Sequence, residues 1–284
     1  MSSESNTLYG AIEKDQEERK RLDEGYLFLK KYIRNDRVIY DEAAILPDDA
    51  AVLDVATGAG SWILDLAQIV PPSVSIYGVD ISTTYFPAIR SSKYQNITLS
   101  VHSCTSLPEE WTNKFDLVNQ SLLIACLTGN DWIADIRELY RVAKPGGYVQ
   151  LFESTNAGWD CPLESANGKA RALFTALYGK YSLLIDDVGG KISRVLADTG
   201  FVDICQHTGT YPVNSNIDEN GKHGADLSVS WMRQLQPSIM RNSGFGIVKS
   251  DEDFNNLMEE LRQEWDSGVP YKNFVMVWGR KPLQ

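Results

Sequence analysis

Basic charge is what this sequence lacks most. Its 284 residues carry 27 Lys and Arg against 38 Asp and Glu, a formal net charge of −11. Nucleic-acid binders need cationic surface to meet phosphate. The two short basic clusters, Arg19-Lys20-Arg21 and Lys30-Lys31, lie in a mixed-charge stretch that reads as a solvated helix face. A nucleic-acid substrate is therefore disfavoured, and so is attraction to an anionic membrane surface. Cysteine is also sparse. Cys104, Cys126, Cys161 and Cys205 are widely spaced, with no C-x-x-C and no adjacent His pattern, so neither a metal site nor a disulfide framework is expected. Apolar runs long enough to span a bilayer are missing. The opening Met-Ser-Ser-Glu-Ser has no cationic region followed by an apolar run, so no secretory leader is expected. The expected location is cytoplasmic.

What is present suffices for a core. Hydrophobic residues make up 43% and charged residues 23% of the chain, ordinary shares for a globular protein. Leu22, Tyr26, Leu29 and Ile33 recur at helical spacing and predict an amphipathic helix over residues 11–34. An alternation of strand and helix follows. Strands are expected at Ala51–Val55, Ser75–Val79, Ile97–Val101, Phe115–Asn119 and Tyr148–Phe152. Helices are expected at Trp62–Val70, ended by Pro71-Pro72, and at Asp131–Ala143, ended by the turn Lys144-Pro145-Gly146-Gly147. Further on, Ile192–Thr199 reads as a helix closed by Gly200, Phe201–Cys205 begins a strand, and residues 214–224 read as a polar Gly/Asn loop. Residues 226–267 read as helix in two pieces, and Tyr271–Gly279 as a final strand. Strands alternating with helices predict an α/β fold with a mostly parallel sheet and helices on both faces.

The chemistry concentrates in Val52-Leu53-Asp54-Val55-Ala56-Thr57-Gly58-Ala59-Gly60-Ser61-Trp62. A strand turns through small residues into a helix, and Gly58 and Gly60 allow positive φ and close approach of backbone to a ligand. The helix that follows offers free N–H groups at its start. A nicotinamide fingerprint wants G-x-G-x-x-G, but Ile63 stands where the third glycine would fall. No Gly-Lys-Ser/Thr follows, which removes the phosphate loop of nucleoside triphosphatases. An acidic entrance, Asp54, suits a ligand carrying an ammonium or sulfonium group and points to S-adenosylmethionine. Asp80 lies 26 residues on, one strand–helix–strand unit away, where a carboxylate can accept both ribose hydroxyls. Ile81 beside it is placed to pack on an adenine face.

Leu53–Gly60, Val79-Asp80-Ile81-Ser82, Ser106-Leu107-Pro108, Phe115-Asp116-Leu117-Val118 and Arg137–Gly147 occur in one order. Together they resemble the ordered motifs of class I S-adenosylmethionine-dependent methyltransferases. The resemblance implies a Rossmann-like seven-stranded sheet, mostly parallel with the last strand antiparallel, under a helical lid. The N-terminal helix, Asn130-Asp131-Trp132 and the ending Gly279-Arg280-Lys281-Pro282 resemble small-molecule methyltransferases of fungal secondary metabolism. By position, Asp54 matches the acid that opens the family loop, Gly58 and Gly60 its remaining glycines, and Asp80 its ribose-binding acid. Ala56 stands in place of a glycine. Ser103 and Cys104 stand in place of an Asp-Ala pair that contacts adenine. Asn119 and Gln120, followed by Ser121, match the part that lines the methionine side of the cofactor. Tyr26 is expected to close over the cofactor.

The expected organisation is an N-terminal helical cap (1–47), a cofactor-binding core (48–153), a lid insert (154–190), a continuation of the core (191–213), a second helical insert (214–269), and a final core strand with its tail (270–284). Trp159, Asp160, Phe174, Tyr178 and Tyr181 in the first insert, and Trp231, Met232, Met240, Phe245 and Met258 in the second, suggest a lid round a small apolar acceptor. Methyl transfer to O or N needs alignment and exclusion of water, and a base only where the acceptor must lose a proton. His207, near the end of the sixth strand, and Glu153, at the tip of the fifth, are the candidates for that base. His102 fits an adenine-side role better. Two other readings of the same fold stay open: a cofactor-bound cyclase or dehydratase, and a regulator that binds cofactor without turnover. The oligomeric state is open as well, a homodimer being one arrangement the N-terminal helix allows.

Overall fold

The computed structural model describes residue 8 and residues 16–88, 94–155, 161–268 and 270–283. In chain order these form α1 (Gln16–Ile33), β1 (Ala51–Val55), α2 (Ser61–Ile69), β2 (Ser75–Asp80), β3 (Ile97–Val101), β4 (Phe115–Ser121), α3 (Gly129–Val142), β5 (Ala143–Thr155), α4 (Ala166–Lys180), α5 (Val188–Thr199), β6 (Val202–Pro212), α6 (Glu219–Gln234), α7 (Gln236–Arg241), α8 (Asp251–Asp266) and β7 (Tyr271–Arg280). The strands make one seven-stranded sheet in the order β3-β2-β1-β4-β5-β7-β6. Pairs among the first five strands are parallel, and β7 runs antiparallel to both β5 and β6. This is the Rossmann-like sheet that the sequence predicts. The strand order reverses between β1 and β4, so a crevice opens outside their carboxyl ends.

Each face of the sheet has its own cover. Leu53, Val55, Val118 and Val149 pack under α3 and α5. Val52 and Leu117, on the other face, pack under α2 through Trp62, Ile63 and Leu66. Beside them a larger apolar cluster joins α1, α4, α6 and α8 to Phe152, Phe274 and Met276 of the sheet. The N-terminal helix and both inserts therefore share one core. Phe254, Met258 and Trp265 are almost completely buried in it, and each such side chain contributes about 1.5–3 kcal/mol through burial.

Three stretches differ from their sequence reading. Residues 214–224 are not all loop, since α6 begins at Glu219 with the Asp218 carboxylate accepting from Gly221 N at 2.8 Å. The glycines there serve close packing. A Cβ on Gly221 would lie 2.1 Å from the Asn214 carbonyl oxygen, and one on Gly224 2.6 Å from that of Pro212. Lys144-Pro145-Gly146-Gly147 lies inside β5 as an irregular start, where the pairing with β4 shifts between Phe115 and Leu117. Gly146, at φ 81°, makes that bend. Residues 226–267 fall in three helices rather than two. Of the helix expected at 11–34, residues 11–15 lie outside the described residues, as do Trp159 and Asp160.

A chain of buried amides runs through the sheet centre. Gln150 Nε2 donates to Asn119 Oδ1 at 2.7 Å and to the Val38 carbonyl at 2.9 Å, while Gln150 Oε1 accepts from Tyr40 N at 3.0 Å. Asn119 Nδ2 in turn donates to Asp54 at 2.7 Å. The chain clamps the segment after α1 onto three strands. The substitution Gln150→Leu keeps the volume and leaves Tyr40 N–H and Asn119 Oδ1 unpaired. At about 1–3 kcal/mol per orphaned buried group, the expected loss is about 2–4 kcal/mol, read as a lower urea midpoint with an unchanged denaturant slope.

Candidate active site

The loop after β1 is built on three positive φ angles in five residues: Ala56 at 56°, Gly58 at 51° and Gly60 at 75°. Thr57 N donates to the Val79 carbonyl and Gly60 N to that of Thr57, both at 2.8 Å, which folds the turn back on β2. The glycines differ in purpose. A Cβ on Gly58 would meet nothing within 4 Å, and Gly58 lines a cleft of about 560 Å³. A Cβ on Gly60 would lie 2.7 Å from Pro87, and Gly60 does not line the cleft. Gly60 is thus a packing and helix-entry residue, a correction to its expected ligand contact. Ala56 takes the left-handed conformation without being glycine, at a strain of about 1–2 kcal/mol.

Asp80 closes the turn from the second strand. Its two carboxylate oxygens accept from Gly58 N at 3.0 Å and Ser82 N at 3.1 Å. An ionised carboxylate has about four acceptor positions, which suits a group that both closes a turn and meets ligand hydroxyls. Asp80, Ile81, His102, Ser103 and Cys104 all line the cleft. Ile81 is 45% exposed, an apolar face open to a ring. Burial pushes the Cys104 thiol well above its usual range, so it stays a neutral thiol. His102 packs edge-on against Trp111.

Asp54 sits at the end of β1 on the cleft wall, 3% exposed. Thr57 Oγ1 and Asn119 Nδ2 each donate to it at 2.7 Å. Burial nevertheless raises its carboxyl to about 7, against the lowering effect of those two bonds. Asn119 and Gln120, expected beside the cofactor, are fully buried and do not line the cleft. Asn119 works from behind, on Asp54. Gln120 Nε2 donates to Asp135 at 2.8 Å, on the far side of β4 from the Asp54 pair. Ser121 and Leu122, the next two residues, are the ones that reach the cleft.

The catalytic candidates are likewise displaced. His207 is exposed on β6, at the edge of the sheet, and is not part of the cleft lining. Glu153 is 1% exposed and accepts from Leu123 N at 2.7 Å and Ile124 N at 3.0 Å. Burial raises its carboxyl to about 8. It pins the loop after β4 and has no open path to an acceptor. Tyr26 does line the cleft, with its hydroxyl donating to Asp65 at 2.6 Å.

Arg34 is the residue that the sequence did not single out. It follows α1, is 3% exposed and lines the cleft. Its guanidinium carbon lies 4.1 Å from the centre of the Phe152 ring, 5.2 Å from that of Tyr26 and 5.8 Å from that of Tyr40. Nε and Nη1 are buried with no hydrogen-bond partner among the described residues. A buried cation with unspent N–H groups suits an incoming carboxylate. Its only sequence signal is an offset of eight residues from Tyr26, which roughly shares a helix face.

The cleft continues beyond the loop into the lid. Phe28 of α1, Phe174 and Tyr178 of α4, Trp231 and Met232 of α6, and Lys272 of β7 line that end. Tyr181 joins them, while Met258 is buried in the shared core and Met240 and Phe245 pack against it. Among the described residues no cluster of three His, Cys, Asp or Glu side chains is placed to hold a metal ion. No helix there is long and apolar enough to cross a membrane.

Comparison with known proteins agrees with this geometry. Residues 52–147 match the methyltransferase domain family. The N-methyltransferase sirN of Leptosphaeria maculans is 27% identical over 98% of this chain and 96% of its own length. The N-methyltransferase gliN of Aspergillus fumigatus is 25% identical over 94% of the chain and 95% of its own. Among solved structures, phosphoethanolamine N-methyltransferase 2 of Haemonchus contortus, in complex with S-adenosylhomocysteine, superposes with a TM-score of 0.51 at 17% identity, over 90% of this chain and 52% of that one. The matched domain and the similarity along nearly the whole chain make this an S-adenosylmethionine-dependent methyltransferase. The cleft fits that cofactor in three respects: open space at Gly58, paired carboxylates at Asp54 and Asp80, and the unspent guanidinium of Arg34.

Asp54 is expected to make cofactor binding pH-dependent. A cationic ligand favours the ionised carboxylate, and in the free protein that form is lost as pH falls through about 7. The dissociation constant for S-adenosylmethionine is therefore expected to rise, by up to tenfold per pH unit, from pH 7 toward 5.5. Calorimetric titration checks this, and Asp54→Asn should bind more weakly at pH 8 and flatten the slope.

Proposed function

We propose that this methyltransferase acts on a nitrogen of a small, largely apolar metabolite of secondary metabolism. One observation carries the reading. A single cleft runs from the loop and Asp80 to the aromatic and Met side chains of the lid, so donor and acceptor would share one dry enclosure. Such a volume is typical of small-molecule sites. Nitrogen is favoured as the reacting atom because sirN and gliN, which align along nearly the whole chain including the lid, are N-methyltransferases.

The cofactor would supply a methyl group on a sulfonium centre. The protein's own residues would do the positioning. Asp80 would accept the ribose hydroxyls, Ile81 would cover the adenine, and Cys104 and Ser103 would border it. Asp54 would face the cationic end, and the Arg34 guanidinium would hold the carboxylate. Tyr26, Phe28, Phe174 and Trp231 would exclude water, which strengthens each of these polar contacts. Asn119, Gln120 and Glu153 are assigned the support of that wall, not contact with the reactants.

The test is direct. Incubation with methyl-labelled cofactor and a metabolite extract should move label onto an acceptor that gains one methyl group on nitrogen. Tight cofactor binding with transfer only to oxygen, or with no transfer at all, would sink the reading. Arg34→Gln should weaken cofactor binding tenfold or more while leaving the affinity for a decarboxylated analogue nearly unchanged. Equal losses for both ligands would remove Arg34 from its assigned role.

A further inference from the structure

The adenine of the cofactor carries an exocyclic 6-amino group, a pure donor. A cleft that selects this base needs an acceptor facing that edge. Among the described residues four acidic side chains line the cleft: Glu18, Asp54, Asp80 and Asp131. Glu18 of α1 is held by Arg21, whose guanidinium makes two bonds to it at 2.6 Å. Asp54 and Asp80 end the first two strands and shape the cofactor loop. Asp131, in the first turn of α3, belongs to neither group.

We propose that Asp131 is the residue that determines specificity for adenine, its second carboxylate oxygen accepting the 6-amino group. This rests on the cofactor placement proposed above, with Asp80 on the ribose and Ile81 on the adenine face. The loop after β3 carries the argument. It starts beside the ribose acid, where His102 N donates to the Asp80 carbonyl at 3.0 Å. It then runs along α3: Leu107 N donates to Glu138 at 2.7 Å, and Arg141 donates to the Leu107 carbonyl at 3.0 Å. Asp131, Asp135 and Glu138 follow one another at steps of four and three residues, so they share the helix face turned to that loop. Each meets a different part of it. Glu138 takes Leu107, Asp135 takes the Cys104 thiol, and Asp131 reaches the cleft. Ser103, Cys104, Thr105, Leu127, Thr128 and Asp131 line the cleft together.

The neutral groups of this wall are engaged with the protein. The hydroxyls of Ser103 and Thr105 share a hydrogen bond at 2.9 Å. The Cys104 thiol, kept protonated chiefly by burial, donates to Asp135. Asp131 differs, because only one of its oxygens is used. Thr128 N and Thr128 Oγ1 donate to Oδ2 at 3.0 Å and 2.7 Å, and Asp131 N donates back to Thr128 Oγ1 at 3.2 Å. This capping box fixes the plane of the carboxylate. No described residue donates to Oδ1. A fixed carboxylate oxygen forms a strong charge-assisted bond to an amine. It would confront the carbonyl of a 6-oxopurine as acceptor against acceptor, so one oxygen both selects adenine and rejects that alternative.

Calorimetric titration tests this with two ligands, S-adenosylhomocysteine and S-inosylhomocysteine, in which a 6-oxo group replaces the amine. The proteins are the wild type, Asp131→Asn and Asp80→Asn. The wild type should prefer the adenosyl ligand by about 10–100-fold. Asp131→Asn keeps an amide oxygen for the two Thr128 donors, so its NH2 takes the place of Oδ1 and faces the base as a donor. Its preference should fall below about threefold or invert. Asp80→Asn should weaken both ligands alike and keep the preference. A wild type indifferent to the two bases would overturn the assignment. So would an Asp131→Asn that loses the same factor for both ligands, since a merely damaged helix start would do that. An Asp80→Asn that binds both ligands as tightly as the wild type would overturn the cofactor placement instead, which keeps the two failures apart.

Discussion

The hydrogen bond from Asn119 to Asp54 holds the rest of the site in place. It joins β4 to β1 at the point where the strand order reverses, and both residues are buried. A carboxyl buried there without a partner would cost several kcal/mol. With Thr57 on its other oxygen and Gln150 behind Asn119, it becomes the end of a satisfied polar chain. The far end of that chain grips Val38 and Tyr40, and Trp62 Nε1 donates to the same Val38 carbonyl at 3.0 Å. The segment that carries Arg34 out of α1 is thus fixed relative to the cofactor loop through the sheet itself. Tyr26 and Lys30 add a second tie, both reaching Asp65 of α2. The N-terminal helix is part of the site's wall.

The charge inventory of the cleft follows from that fixing. Asp54 and Asp80 supply negative charge at one end, and Arg34 supplies an isolated positive charge beside them. Alone, a buried guanidinium with unspent N–H groups is a liability, partly relieved by the faces of Phe152, Tyr26 and Tyr40. A zwitterionic ligand with an added sulfonium would set its carboxylate against Arg34 and its cationic end against Asp54, leaving Asp80 to the ribose hydroxyls. On that reading the order of charges along the cleft would match the order along the cofactor. The strain at Ala56 and the open space at Gly58 belong to the same economy, since the backbone is bent to make room that no side chain fills.

The sheet was legible in the sequence because its strands are short, apolar and bounded by turns. Ala51–Val55 and Ile97–Val101 come out at their expected bounds, and Gly200 closes α5 at φ 112°. The loop and Asp80 were legible because few residue types tolerate positive φ or accept two hydroxyls. What failed did so for identifiable reasons. Asn119 and Gln120 sit in a strand whose side chains alternate, so a motif that names consecutive residues says nothing of which one faces the ligand. The glycines of α6 read as loop because composition does not reveal an Asn214 or Pro212 carbonyl 2–3 Å from the missing Cβ. Glu153 looked like a strand tip, yet the loop after β4 folds back and caps it with two backbone N–H groups. Arg34 carried no local signal, because its meaning comes from groups far away in sequence.

The lid decides the acceptor, and its construction limits what the acceptor can be. Helices α1, α4, α6 and α8 share one apolar cluster, so the wall over the acceptor cannot shift at one helix without disturbing the others. A tightly packed wall responds to volume changes as small as a methylene, which favours a ligand of defined shape over a flexible or polymeric one. The polar groups reaching that wall are few, and most are paired with one another: Glu18 with Arg21, Tyr211 with Ser228, Tyr181 with Ser238. An acceptor rich in hydroxyls or phosphates would find too few partners to offset its desolvation. An acceptor that offers one reactive nitrogen on an apolar body would not need them.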